Sequence, residues 1–171
     1  RPLLPPQGPP DEADLDRWIH LSGTIQVPAF YVPLEKGSLN QSDEATVMLR
    51  FWRRQAEPLL IKRLEARDSS WSLAWRKLHS RLPPFLAARL PLPPPAATIR
   101  QETVLAIGAL RGLSSPLEAA LVARVQDPDP MVRLFTAVVL GHKGSPAPAT
   151  LKAFDKLHKD PAVAGWFTGF T

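Results

Sequence analysis

Apolar positions follow two regimes along the chain. Over residues 1–40 they keep no sustained helical period. Residues 23–34 set Ile25, Val27, Phe30, Tyr31 and Val32 around Pro28 and Pro33, which forbids a long central strand and permits an extended path with apolar anchors. Only a short helical turn is expected here, near Asp14 to His20, with acidic residues suited to its start. Helical spacing takes over at Ser42-Asp43-Glu44, a start signal, and holds to about Gln55. Pro58 has no N–H and is expected to kink this helix or open a second one reaching about Ala66. Trp71, Trp75, Leu78 and Leu82 then fall at i, i+4, i+7 and i+11, one face at a 3.6-residue period, which reads as core. Pro83-Pro84 ends that helix, and a short apolar piece, residues 85–90, leads into a linker at 91–97.

Beyond the linker the chain repeats itself at an offset of 33 residues. Ile99-Arg100 matches Val132-Arg133, Ile107-Gly108 matches Leu140-Gly141, Ala120-Leu121 matches Ala153-Phe154, and Asp127-Pro128 matches Asp160-Pro161. The repeated unit is a pair of helices. Its first helix is expected over residues 98–113 and again over 131–142. Its second opens at Ser115-Pro-Leu-Glu118, with serine as cap, proline at the first helical position and glutamate closing a capping box. The counterpart covers residues 148–159 with Leu151, Phe154 and Leu157 inward. Each hairpin has an apolar face too wide to satisfy alone, so neighbours must stack to bury it. A third unit begins at Asp160-Pro161, and Val163, Trp166, Phe167 and Phe170 would form an open apolar end needing further repeats, a partner or a second copy.

An Asp-Pro turn, a Val-Arg pair opening a helix and a small-residue stretch ending in Leu-Gly resemble HEAT repeats of the short kind also found in phycobilisome-lyase-type proteins. Asp127-Pro-Asp-Pro-Met-Val-Arg133 and Ala137-Val-Val-Leu-Gly141 carry the pattern, with Thr98-Ile-Arg100 and Ala106-Ile-Gly108 as a weaker copy. The resemblance spans residues 96–171. It departs from the family at Gly165, where a Val-Arg start is expected, and residues 41–90 match only in being helical, as a degenerate repeat or cap. What it implies is an all-α fold: a short right-handed α-solenoid offering ridges to partner proteins, here with a proline-rich N-terminal arm over residues 1–40. HEAT arrays serve many assemblies, so the fold does not name the partner.

Composition sharpens this in three places. Five of the first ten residues are proline, and so are six of the fifteen at positions 81–95, hence two extended connectors. Cysteine is absent, which removes disulfides, thiolate metal sites and cysteine nucleophiles while leaving the redox compartment open. The net charge of +5 is unevenly spread: residues 1–44 hold 3 basic and 7 acidic side chains, residues 45–89 hold 10 basic and 3 acidic. The basic half contains Arg50, Trp52, Arg53, Arg54, Lys62, Arg63, Arg67, Arg76 and Lys77. Positive charge mixed with aromatics suits an acidic partner or nucleic acid through phosphate neutralisation and base stacking. HEAT-like DNA glycosylases use a similar mixture together with a catalytic aspartate. The plainer alternative is arginine solvating the outer faces of amphipathic helices.

Catalytic signatures are absent. The four histidines form neither an i, i+4 pair nor the His-Glu dipeptides of HEAT-built iron hydroxylases, so neither a metal nor another cofactor is expected. Asp127, Arg133 and Asp160 read as a ladder of caps and side-chain hydrogen bonds at the inter-repeat turns. No glycine-rich phosphate loop or nucleophile elbow occurs. The expectation is a non-catalytic scaffold, a subunit or fragment of a larger multi-protein assembly, with other proteins as partners, no small-molecule substrate and no membrane insertion. The arm would engage a neighbour through Trp18, Ile25, Phe30 and Tyr31. A chain opening at Arg1 suits a fragment of something longer. Cytoplasm, cytoskeleton or cilium fits such a scaffold, and a processed organellar protein is the alternative.

Overall fold

Short polar side chains start several of the helices. Asp11 accepts the Asp14 amide at 2.8 Å and opens α1 (Glu12–Thr24). The computed structural model describes residues 9–24, 38–143 and 148–161. These residues are helical with no strand. After α1 come α2 (Ser38–Phe51), α3 (Arg53–Leu64), α4 (Ser70–His79), α5 (Pro84–Ala87), α6 (Ala96–Ala109), α7 (Ser115–Arg124), α8 (Pro130–Lys143) and α9 (Pro148–His158).

Ser69 caps α4 by accepting the Ser72 amide at 3.0 Å. The cap of α7 is Ser114, not Ser115: its hydroxyl accepts the Leu117 amide and donates to Glu57 of α3. Pro116 therefore stands at the second helical position. With Ser114 as cap, Glu118 stands one position past the N3 site of a capping box, and it accepts from Thr150 of α9 at 3.0 Å. Asp129 caps α8 by taking the Met131 and Val132 amides, with Pro130 as its first residue. The break in the basic segment falls at Trp52, between α2 and α3, while Pro58 stays inside α3 on the exposed side. A proline ring crowds the carbonyl four residues before it, so the distortion it imposes lies N-terminal to it.

The arm expected over residues 1–40 is a core helix across α1. Leu15, Trp18, Ile19 and Ser22 share one face and all are buried, and α1 packs along both α2 and α6. Trp18, read from sequence as a partner anchor, is 3% exposed inside the main cluster. The approach of α1 to α6 is so close that a Cβ on Gly23 would run into the Glu102 backbone. Further along, α6 packs between α1 and α8, and α7 contacts both α3 and α9. Leu49, Leu60, Ile107, Leu117, Leu121 and Leu140 are among the fully buried side chains that fill the space between.

Charged groups join one hairpin to the next. Arg100 of α6 gives a two-pronged pair of hydrogen bonds to Asp127, 2.8 and 2.9 Å, and both residues are buried. One repeat later Arg133 of α8 donates to Asp160 through Nε, at the equivalent positions, and both residues are part-buried. The 33-residue offset read in the sequence is thus an offset between equivalent ion pairs. Arg100 also donates to the Ala66 carbonyl at 2.7 Å and Arg133 to the Asp127 carbonyl at 2.8 Å, which ties each arginine to the preceding turn as well. In α9, Thr150 and Leu157 face inward, whereas Leu151, expected inside, is exposed. Thr150, whose hydroxyl donates to Glu118, occupies the buried side that the sequence reading gives to Leu151.

Three substitutions test this packing. Gly23→Ala should lower unfolding free energy by about 1–3 kcal/mol, because backbone rather than a pliable side chain must move; the measurement is urea denaturation. Asp127→Ala strands a buried guanidinium and should cost about 3–5 kcal/mol. Asp155→Ala, which breaks the exposed pair with Lys159, should cost about 1 kcal/mol or less.

Candidate functional site

The basic residues singled out from sequence are brought to several places rather than one. Arg50 donates to the Ala109 carbonyl at 2.8 Å and Arg53 to the Arg111 carbonyl at 2.9 Å. Lys143 donates to the carbonyls of Gly108, at 2.7 Å, and Leu110. Three cations from α2, α3 and α8 thus close the C-terminal end of α6, where helix carbonyls lack partners and the dipole is negative. Burial, and after it the nearby charges of Arg50 and Arg53, hold the Lys143 ammonium below its ordinary range. Arg63 pairs with Asp16 and Glu102 and donates to Thr103 at 3.3 Å, so one side chain joins α1, α3 and α6. Lys62 pairs with Glu12 at 2.7 Å. Trp52 is half-buried against the core, with Phe51 edge-on at 5.1 Å. Much of the basic segment therefore fastens helices together. Among the described residues, Arg54, Arg67 and Lys77 enter no ion pair.

What stands out instead is the excursion between α3 and α6. Asp68 accepts both the Ala96 amide at 3.0 Å and Arg76 Nη2 at 2.6 Å, so the two ends of the excursion are held at one carboxylate. Arg76 reaches on to the Pro94 carbonyl, and the Trp75 indole N–H donates to the Pro91 carbonyl, both at 3.3 Å. His79 Nε2 lies 3.2 and 3.1 Å from the carbonyls of Ala87 and Leu90; both are acceptors, so this nitrogen carries the proton. The Trp75 and His79 rings meet edge-on at 6.2 Å. Helices α4 and α5 are thereby closed into a hairpin by its own polar groups.

That hairpin buries no side chain of α4 or α5. The face read from sequence as core is not covered: Trp71 is 75% exposed and Leu78 52% exposed, while Trp75 and Leu82 are half-buried. Phe85 is 66% exposed, and Leu73, Leu86, Leu90 and Leu92 are exposed as well. A 3.6-residue period reports that a helix has an apolar face; it does not report that the same chain covers it.

Family models, curated proteins and solved structures gave no match to this chain.

The remaining candidates divide simply. Ile25, Phe30 and Tyr31 of the arm, and Val163, Trp166, Phe167 and Phe170 of the open end, lie outside the described residues. Asp127, Arg133 and Asp160 form the inter-hairpin pairs described above. Among the described residues no group of three or more His, Asp and Glu side chains is placed to hold a metal ion. The hairpin was the surface hardest to find from sequence, although its signal was there: Trp71 to Leu92 holds exposed-type punctuation, six prolines by Pro95, alongside large apolar residues.

The carboxylate at the base of the hairpin makes a pH prediction. Arg76, and after it the Ala96 amide, hold Asp68 below its ordinary 3.8. A depressed carboxylate stabilises the fold fully above 3.8 and loses that contribution as pH falls through the lower folded-state value. The Trp75 indole N–H resonance, which reports the clasp, should therefore move only below pH 3.8 in the wild type. In Asp68→Asn it should already be displaced at neutral pH.

Proposed function

We propose that this chain is a non-catalytic interaction module, a short HEAT-like α-solenoid acting as a scaffold within a multi-protein assembly. One observation carries the reading most: charged pairs link successive hairpins, Arg100 to Asp127, which is buried, and Arg133 to Asp160, which is part-buried, while large apolar side chains stand outside. Asp127, Arg133 and Asp160, the charged groups at these turns, are committed to the contacts between helices. The contact order of α1, α6 and α8, and of α3, α7 and α9, is what stacking of helical hairpins produces. Exposed Val47 and Phe51 on α2 and Val138 on α8 give such a stack apolar ridges for protein partners.

Nucleic-acid binding is the second reading. It is favoured by the exposed indole of Trp71, close in sequence to Arg67, Lys77 and Arg81, a combination that suits stacking beside phosphates. It is weakened by Arg50, Arg53 and Arg63, which are taken up by carbonyls and carboxylates.

The test is a pull-down from cell extract with residues 1–171, with and without nuclease and at low and moderate salt, repeated with Val47→Ser/Phe51→Ser. A fixed set of proteins that survives nuclease and salt, and is reduced in the double variant, is the expected result. Recovery that collapses with nuclease would replace the scaffold reading with the nucleic-acid one.

A further inference from the structure

We propose that the α4–α5 hairpin is a docking site for an anionic lipid surface, lying in the interfacial plane of a bilayer. No described helix is long and apolar enough to cross a membrane, so contact would be along the surface. The site is separate from the ridges invoked for protein partners, and either could hold without the other.

Charge is the first ground. From Ser69 to Pro95 the chain carries Arg76, Lys77, Arg81 and Arg89 and no acidic residue. Arg76 is engaged with Asp68, which leaves Lys77, Arg81 and Arg89, all exposed, on the hairpin itself. Lysine and arginine beside Trp, Phe and Leu on a short amphipathic helix is the pattern that binds negatively charged headgroups while seating apolar side chains at the acyl boundary.

The apolar set is the second. Leu73, Leu78 and Leu92 are exposed along with Trp71 and Phe85. Aliphatic side chains have no stacking face to offer a nucleobase but lose unfavourable hydration in lipid. This separates a lipid surface from a nucleic acid.

Backbone satisfaction is the third. A segment entering the interface must not carry unpaired amides into it. Pro83, Pro84, Pro91 and the three prolines at 93–95 have no N–H. The amides of Leu86, Ala87, Ala88, Arg89 and Leu90 are bonded to carbonyls within the hairpin, as are those of Ser80, Arg81 and Leu82. The polar tips of Trp75 and His79 are likewise turned onto hairpin carbonyls. The tip can meet a low-dielectric surface without breaking its own hydrogen bonds.

The experiment is sedimentation of the chain with phosphatidylcholine vesicles, alone or containing about one third phosphatidylserine. Binding to the anionic vesicles only is expected. Trp71→Ser/Leu78→Ser/Phe85→Ser should lower it by about tenfold or more, as should Lys77→Glu/Arg81→Glu. All five side chains are exposed, and unchanged circular dichroism would show that both variants fold. Absence of sedimentation with anionic vesicles overturns the proposal. So does binding that the triple variant retains, or self-association of the chain without vesicles that the triple variant abolishes, which would make a second copy the occupant.

Discussion

A buried guanidinium facing a carboxylate from the following turn is the contact on which this fold turns. Arg100 and Asp127 are both inaccessible, and each would be costly alone. Together they satisfy one another, and the remaining donors of Arg100 reach the end of the previous hairpin. Helix α6 is therefore fixed at its start to two neighbours at once, and at its end by Arg50, Arg53 and Lys143. Apolar burial supplies most of the stabilisation, but it is non-directional. The charged contacts specify which residue lies over which.

Much of this was legible in the chain. The second half repeats its punctuation at 33 residues, and the repeated Arg and Asp are the two ends of the same bond. What was not legible has a common physical origin. Trp18 sits in a helix of 13 residues between proline-rich stretches, and its apolar face makes sense only when α6 is laid against it. Trp71 presents the opposite case: its helix has a strong apolar stripe, yet nothing among the described residues buries it. Periodicity along one segment encodes a face, and only tertiary contact decides whether the face is inside. The same limit applied to Leu151, which stands exposed while its neighbour Thr150 is buried.

The positive charge of the middle of the chain illustrates how one residue type serves unlike ends. Arg50 and Arg53 neutralise the end of a helix, Arg63 crosslinks three helices, and Lys77 and Arg81 face outward. A count of basic residues merges these roles. Their partners separate them, and the separation moves the functional question from the whole basic half to one small projection.

That projection begins and ends at a single carboxylate. Because Asp68, itself at the entry, holds α4 through Arg76 and the start of α6 through the Ala96 amide, about as much chain as an ordinary helix pair leaves α3 and returns to the same point. Closing such a loop costs entropy that grows only slowly with its length. The projection can lengthen, shorten or change its chemistry while α3 and α6 keep their places. Stability and recognition are thus carried by different stretches of the chain, and selection can alter the second without disturbing the first.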